Sequence, residues 1–121
     1  MRILVAEDNK INQLIMKELL SSIGVEVTLA ENGIKALEKL EKNTFDLILM
    51  DIQMPEMDGL MATTQIRLDA RYANLPILAV SANAGAEFVA ESLRAGMNDH
   101  LTKPVDVKKL YSALKKWRKQ R

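Results

Sequence analysis

The chain has no cysteine and a single histidine. A disulfide framework is therefore excluded, and a zinc site has neither thiolates nor enough imidazoles to form. A cysteine-free chain suits a reducing compartment, and a cytoplasmic location is expected. Aromatic residues make up only 4% of the chain, few for stacking a flavin. No apolar run approaches the roughly 20 residues of a membrane-crossing helix. The opening run Met1–Ala6 stops at Glu7-Asp8, too short for a secretory signal. Charge of one sign is not in excess either. A formal net charge of +1 gives no field toward nucleic acid or an anionic membrane, so neither nucleic-acid contact nor membrane insertion is expected. Glycine-rich phosphate cradles of the G-x-G-x-x-G or G-x-x-x-x-G-K-[ST] kind are missing, as are linkers, repeats and low-complexity segments.

What remains is 121 residues with an ordinary globular balance, 48% hydrophobic and 27% charged. This predicts one compact domain over 1–121. Ile3–Ala6, Phe45–Met50 and Ile77–Val80 are short, nearly continuous apolar runs, as in parallel strands buried on both faces. Val25–Leu29 alternates and His100–Thr102 is mixed, which suits two edge strands. Helical spacing fills the gaps. Ile11, Leu14, Ile15, Leu19 and Ile23 form one stripe, with Gly24 as its C-cap. Ile34, Leu37 and Leu40 form a second, and Asp58 caps a third helix running to Arg67. Phe88, Val89 and Leu93 mark a fourth helix before Gly96. Val107, Leu110, Tyr111, Leu114 and Trp117 mark a fifth behind Asp106. Strand-helix alternation repeated five times predicts an α/β fold with a parallel sheet and right-handed crossovers. Ligands of such sheets sit beyond the C-terminal strand ends.

Polar groups gather at that rim. The first strand ends in Glu7-Asp8, the third in Asp51, the fourth in Ser81 and the fifth in Lys103-Pro104. An ionised carboxylate at the end of a buried apolar strand is costly alone. Two like charges ~4 Å apart repel by about 4 kcal/mol at an effective dielectric of ~20. A cluster of three acids must therefore shift its pKa values or recruit a cation, and an oxygen-only set with water access suits Mg²⁺. Taken singly, each residue has a plainer role: Asp8 or Asn9 as a helix cap, Ser81 as a locally bonded hydroxyl, Lys103 as a surface charge. His100 is expected as a packed side chain rather than a ligand, and the seven methionines as core fillers. Lys115, Lys116, Arg118, Lys119 and Arg121 complement a helix dipole at the C-terminus. Only the joint placement on one rim outweighs these readings.

"VAEDN" (5–9), "LILMDIQMPEMDG" (47–59), "VSANA" (80–84) and "LTKP" (101–104), in this order and spacing, resemble the response-regulator receiver domain across essentially the whole chain. The resemblance implies a flavodoxin-like, doubly wound five-stranded sheet in the order 2-1-3-4-5 with five helices. It implies that Asp51 accepts a phosphoryl group from a phosphohistidine of a histidine kinase or a histidine phosphotransfer domain. Asp8 directly, Glu7 through water, Asp51 and the backbone carbonyl of Gln53 would hold Mg²⁺. Lys103 would pair with the phosphoryl oxygens, Ser81 would donate to one of them, and the bond before Pro104 would be cis. Response would be read on the face of the fourth helix, fifth strand and fifth helix, with Ser81 and His100 as switch residues. Two positions depart from the common pattern: Glu7 where a second aspartate is frequent, and His100 where Tyr or Phe is frequent. "DNKIN", "SANA" and "GMNDHLTKP" most resemble receivers inside hybrid histidine kinases, so a longer parent chain is expected, with weak or no homodimerisation. A pseudo-receiver that only docks would normally lack acceptor residues that are present here. An aspartyl-phosphate phosphatase of the haloacid-dehalogenase type wants an acid at Gln53. A Ser81-His100-Asp51 triad lacks the G-x-S-x-G elbow.

Overall fold

The computed structural model describes residues 1–83 and 85–118. Along the chain run β1 (Arg2–Ala6), α1 (Lys10–Ser21), β2 (Glu26–Ala30), α2 (Gly33–Lys42), β3 (Leu47–Asp51), α3 (Gly59–Arg67), β4 (Ile77–Ser81), α4 (Ala86–Ala95), β5 (Asp99–Thr102) and α5 (Val107–Trp117), with a 3-10 turn at Ala70–Tyr72 after α3. All strand pairs are parallel and the order is β2-β1-β3-β4-β5. This is the doubly wound sheet that the alternation and the resemblance implied. β3 and β4 are buried at every position, while the edges β2 and β5 are mixed. No helix of the described residues is long and apolar enough to cross a membrane.

Because side chains alternate across a strand, the central strands feed two cores. Leu4, Ala6, Ile48, Met50, Ile77 and Ala79 pack with Ala36, Leu40, Ala62 and Ile66 of α2 and α3. Ile3, Val5, Leu47, Leu49, Leu78 and Val80 pack with Met16, Leu20, Leu110 and Leu114 of α1 and α5. Truncating a fully buried leucine such as Leu49 or Leu110 should cost about 2–5 kcal/mol.

Caps fall where short polar side chains meet helix starts. Asn9, Asn32, Asp58 and Asp106 accept from Asn12 N, Lys35 N, Met61 N and Lys108 N at 3.0, 2.8, 2.9 and 2.8 Å. Gly96 ends α4 at φ 112°, where a side chain is disfavoured. The first helix departs from expectation. Ser22, not Gly24, is its C-cap, and Gly24 takes a left-handed φ of 83° beyond it. Most of its expected core stripe also faces outward: Ile11, Leu14, Ile15 and Ile23 are 69, 65, 50 and 47% exposed, whereas Leu19 of that stripe packs against the core and Met16 and Leu20 are buried. Two apolar sets interleave on this helix, and period alone does not say which one meets the sheet. Lys119 and Arg121 of the expected basic cluster, and Ala84 of the "VSANA" stretch, lie outside the described residues.

At the N-terminal end of the sheet, Arg67 ties α3 to the start of β4. Its Nε donates to Gly96 O at 2.9 Å, Nη1 to Tyr72 O at 2.6 Å and Nη2 to Asn98 Oδ1 at 2.8 Å. The same Asn98 oxygen accepts from Ile77 N at 2.8 Å.

Candidate functional site

Parallel register brings the strand ends level. Ala6 pairs with Met50, Asp51 with Val80, and Ser81 with Thr102. Glu7 follows β1 directly and is fixed by its own N–H donating to Ala30 O at 2.9 Å. Asp51, the last residue of β3, is 2% exposed and Glu7 4%. Asp8 is exposed at the rim. Carboxylate oxygens of Glu7, Asp8 and Asp51 lie within 4.8 Å of one another, and among the described residues no other group of acids or histidine gathers in this way.

Lys103 stands between the two buried acids. Its ammonium is 2.9 Å from Asp51 Oδ2 and 3.0 Å from Glu7 Oε1. Burial works against that charge, but the hydrogen bonds to Asp51 and Glu7 outweigh it and hold the ammonium above the usual lysine range. Backbone donors complete part of the pocket. Asn9 N donates to Glu7 Oε2 at 3.1 Å and Gln53 N to Asp51 Oδ1 at 3.2 Å. Asp8 has no hydrogen bond or ion pair among the described residues. Three carboxylates against one ammonium leave two negative charges at the rim. That surplus fits a divalent cation bound by oxygen, and the donor set contains nothing softer.

The loops around these acids are closely built. A Cβ at Gly59 would strike the Asp51 carbonyl oxygen and lie 2.9 Å from Ile52 Cα. Only glycine lets α3 start this near β3, and Gly59 N donates to Ile52 O at 2.9 Å. Lys103 N donates to Ser81 O at 2.8 Å, which joins the fourth and fifth strand ends, and the Lys103–Pro104 peptide is cis. Gln53 is exposed and lines an open cleft with Asp8, Met54, Pro55 and Phe88.

Of the predicted residues, Glu7, Asp8, Asp51 and Lys103 thus meet, with Gln53 beside them. Ser81 is buried at the same rim, its hydroxyl accepting from Asn83 N at 3.0 Å. His100 sits apart from the acids: its Nε2 is buried without a partner among the described residues, so the Ser81-His100-Asp51 triad does not form. Sequence reasoning missed the Lys103–Glu7 pair, having assigned Glu7 to metal alone. It also missed Gln13, whose Nε2 donates to Glu7 O at 2.6 Å. Nothing marks Gln13 in the sequence; only the first turns of α1 bring it back to the strand end.

Comparison with known proteins agrees with this arrangement. The family model "Response regulator receiver domain" matches residues 3–115. Sensor protein GacS of Pseudomonas syringae pv. syringae is 40% identical over 119 residues, covering 96% of this chain and 13% of that protein. The osmosensing histidine protein kinase SLN1 of Saccharomyces cerevisiae is 40% identical, over 93% of this chain and 10% of its own length. This chain therefore spans only a small part of the relatives it matches. Among solved structures, the receiver domain of sensor histidine kinase PA1611 from Pseudomonas aeruginosa, with magnesium coordinated in its active-site cleft, superposes with a TM-score of 0.89. It is 40% identical and covers 96% of this chain and 95% of its own. Chemotaxis protein CheY4 of Vibrio cholerae gives 0.91 at 28% identity, over 96% and 97%. With the strand order, the rim of acids and these matches together, the chain belongs to the response-regulator receiver family of two-component signalling.

Proposed function

We propose that Asp51 accepts a phosphoryl group from a phosphohistidine and that the chain relays this signal without turning over an external substrate. The observation that carries the reading is a buried carboxylate held 2.9 Å from a lysine at a rim with two surplus negative charges. One Asp51 oxygen bonds to phosphorus while the phosphorus–nitrogen bond of the donor breaks, the electron pair leaving with the imidazole. Glu7, Asp8, Asp51 and the Gln53 carbonyl would hold Mg²⁺, which supplies charge neutralisation for phosphoryl transfer. Lys103 turns its ammonium from the carboxylates to the incoming oxygens, and the Ser81 hydroxyl, now an acceptor, rotates to donate to one of them. The product is a mixed anhydride, reactive toward water, so the mark is temporary.

The donor is a domain of a histidine kinase or a histidine phosphotransfer domain in the cytoplasm, and relatives named as hybrid signal transduction histidine kinases support placing the chain within such a kinase. The outward apolar face of α1, Ile11, Leu14 and Ile15, begins three residues beyond Asp8 and is continuous with the rim. It suits the docking of such a donor, since a side chain must reach Asp51 from that mouth.

Incubation with acetyl phosphate and Mg²⁺, followed by intact-mass measurement, should give a single adduct that is lost in mild base and absent from Asp51→Asn. An adduct that persists in this variant would refute the assignment. Ile15→Glu should slow transfer from a phosphohistidine donor while leaving acetyl phosphate labelling unchanged.

A further inference from the structure

We propose that Gly33, at the start of α2, is a positioning residue for the metal pocket: it holds the loop between β3 and α3 from outside, and with that loop the Gln53 carbonyl. This step rests on the reading of the rim as an Mg²⁺ site. Gly33 N donates to Met57 O at 3.0 Å. Among the described residues, no other hydrogen bond ties the backbone of residues 54–57 to another element. Beside that bond the loop folds back on itself, with Met57 N donating to Pro55 O at 2.7 Å and Glu56 held at a φ of 66°. A non-glycine residue keeps a left-handed conformation only where its surroundings fix it. Gly59 N, donating to Ile52 O at 2.9 Å, closes the base of the loop; Gly33 pins its far side.

Contact, not conformation, requires glycine at this position, since Gly33 lies outside the left-handed region. A Cβ there would meet Met57 O at 2.5 Å, Met57 Cγ at 2.8 Å and Met57 Cβ at 3.0 Å. The oxygen belongs to the backbone, so no change of rotamer relieves the clash and the loop itself would have to move. Alanine is the better helix former, so the chain forgoes helix propensity here to let the loop approach. The same corner holds the opposite wall of the pocket. Ala30 O accepts from Glu7 N at 2.9 Å. Between the two contacts Asn32 is buried, and its side chain caps α2 on Lys35 N at 2.8 Å. Residues 30–33 thus reach both the acid after β1 and the loop after β3. The separation of Glu7 from Gln53 is set by this corner.

Displacing Met57 outward draws the Gln53 carbonyl away and leaves the Asp51 carboxylate on β3 where it is. Mn²⁺ takes the same oxygen ligands as Mg²⁺ and broadens nearby amides, so it reads where the ion sits as well as how tightly. Gly33→Ala should weaken binding of either ion by roughly 10-fold. At saturating Mn²⁺, broadening at Gln53 and Met54 should fall relative to that at Asp8 and Asn9. Leu40→Ala, in the last turn of the same helix and away from the corner, is the structural control. It should lower stability to urea and leave both ion affinity and the broadening ratio as in the parent. Parental affinity and ratio in Gly33→Ala, or an equal loss in Leu40→Ala, would overturn the proposal.

If Gly33→Ala does not fold, the parent alone decides. By reciprocity, an ion that needs the loop in place must favour the state in which the Gly33 bond is made. Saturating Mg²⁺ should therefore slow hydrogen exchange at Gly33 N by more than at Ala36 N, which donates to Asn32 O at 3.0 Å within the first turn of α2. Equal slowing of the two would overturn the proposal while leaving the Mg²⁺ site standing, provided the rim amides respond. If no rim amide of the parent responds to either ion, the Mg²⁺ reading fails and the proposal falls with it.

Discussion

At the N-terminal end of the sheet, the half-buried Arg67 guanidinium spends its donors on two backbone carbonyls and one amide oxygen, all neutral. At the C-terminal end, two of three clustered carboxylates share one lysine and the third, Asp8, has no partner among the described residues. Both ends carry ionic groups under cover, yet at one the charge is met by hydrogen-bond acceptors throughout, while at the other carboxylates outnumber their cation. The difference lies not in burial of charge but in crowding: the guanidinium stands alone among neutral acceptors, whereas the rim gathers like charges beyond what its one lysine can pair.

The largest expected effect comes from the N-terminal end. Arg67→Ala leaves the carbonyls of Gly96 and Tyr72 and the Asn98 oxygen short of donors, and should lower unfolding free energy by about 3 kcal/mol. Urea denaturation measures it, and Mg²⁺ affinity should not change. At the rim the pattern inverts. Asp8→Ala should weaken Mg²⁺ binding by roughly 10–100-fold, about 1.4–2.8 kcal/mol, with stability of the metal-free protein unchanged or slightly raised. Calorimetric titration distinguishes this from the smaller loss expected of Glu7→Ala. Equal metal losses from Arg67→Ala and Asp8→Ala would erase the contrast.

Much of this contrast was legible in the sequence, but unevenly. The rim was readable because a parallel sheet sends every strand end to one edge, so Glu7, Asp8, Asp51, Ser81 and Lys103 could be placed from strand order alone. The caps at Asp58 and Asp106 were readable because a short polar side chain before an apolar stripe has few other uses. The Arg67–Asn98 junction was not, since it joins residues 31 apart through side-chain reach that no periodicity encodes. Nor was the facing of α1. Met16 and Leu20 repeat at the same spacing as Ile11 and Ile15, and only the sheet decides between them.

Lys103 sharpens the comparison further. Lys103→Ala leaves Glu7 and Asp51 facing each other without a cation. It should cost about 2 kcal/mol, less than the 3–5 of a fully buried pair because Lys103 keeps 25% exposure. Mg²⁺ should then stabilise the variant more than the parent. In the parent, the contribution of this lysine is full below the unfolded pKa of about 10.4 and is lost as pH rises through its raised folded value. Alkaline unfolding compared between parent and Lys103→Met measures it. The smallest effect is at Glu56, in the loop between β3 and α3, where φ is 66°. Glu56→Gly relieves the left-handed strain but gains chain entropy in the unfolded state, for a net change of about 0.5 kcal/mol or less.

The central claim, that the chain crowds carboxylates beyond their cation at the C-terminal end of the sheet and not at the other, is tested most directly by titrating Mg²⁺ into uniformly labelled protein and following the backbone amides. The account predicts one saturable ion per chain, with shifts concentrated at Glu7 to Asn9, Asp51 to Gln53 and Lys103. The amides of Arg67, Tyr72, Gly96 and Asn98 should stay in place. Shifts spread over exposed acids such as Glu41 and Asp69, or a rim unmoved at saturating Mg²⁺, would contradict it.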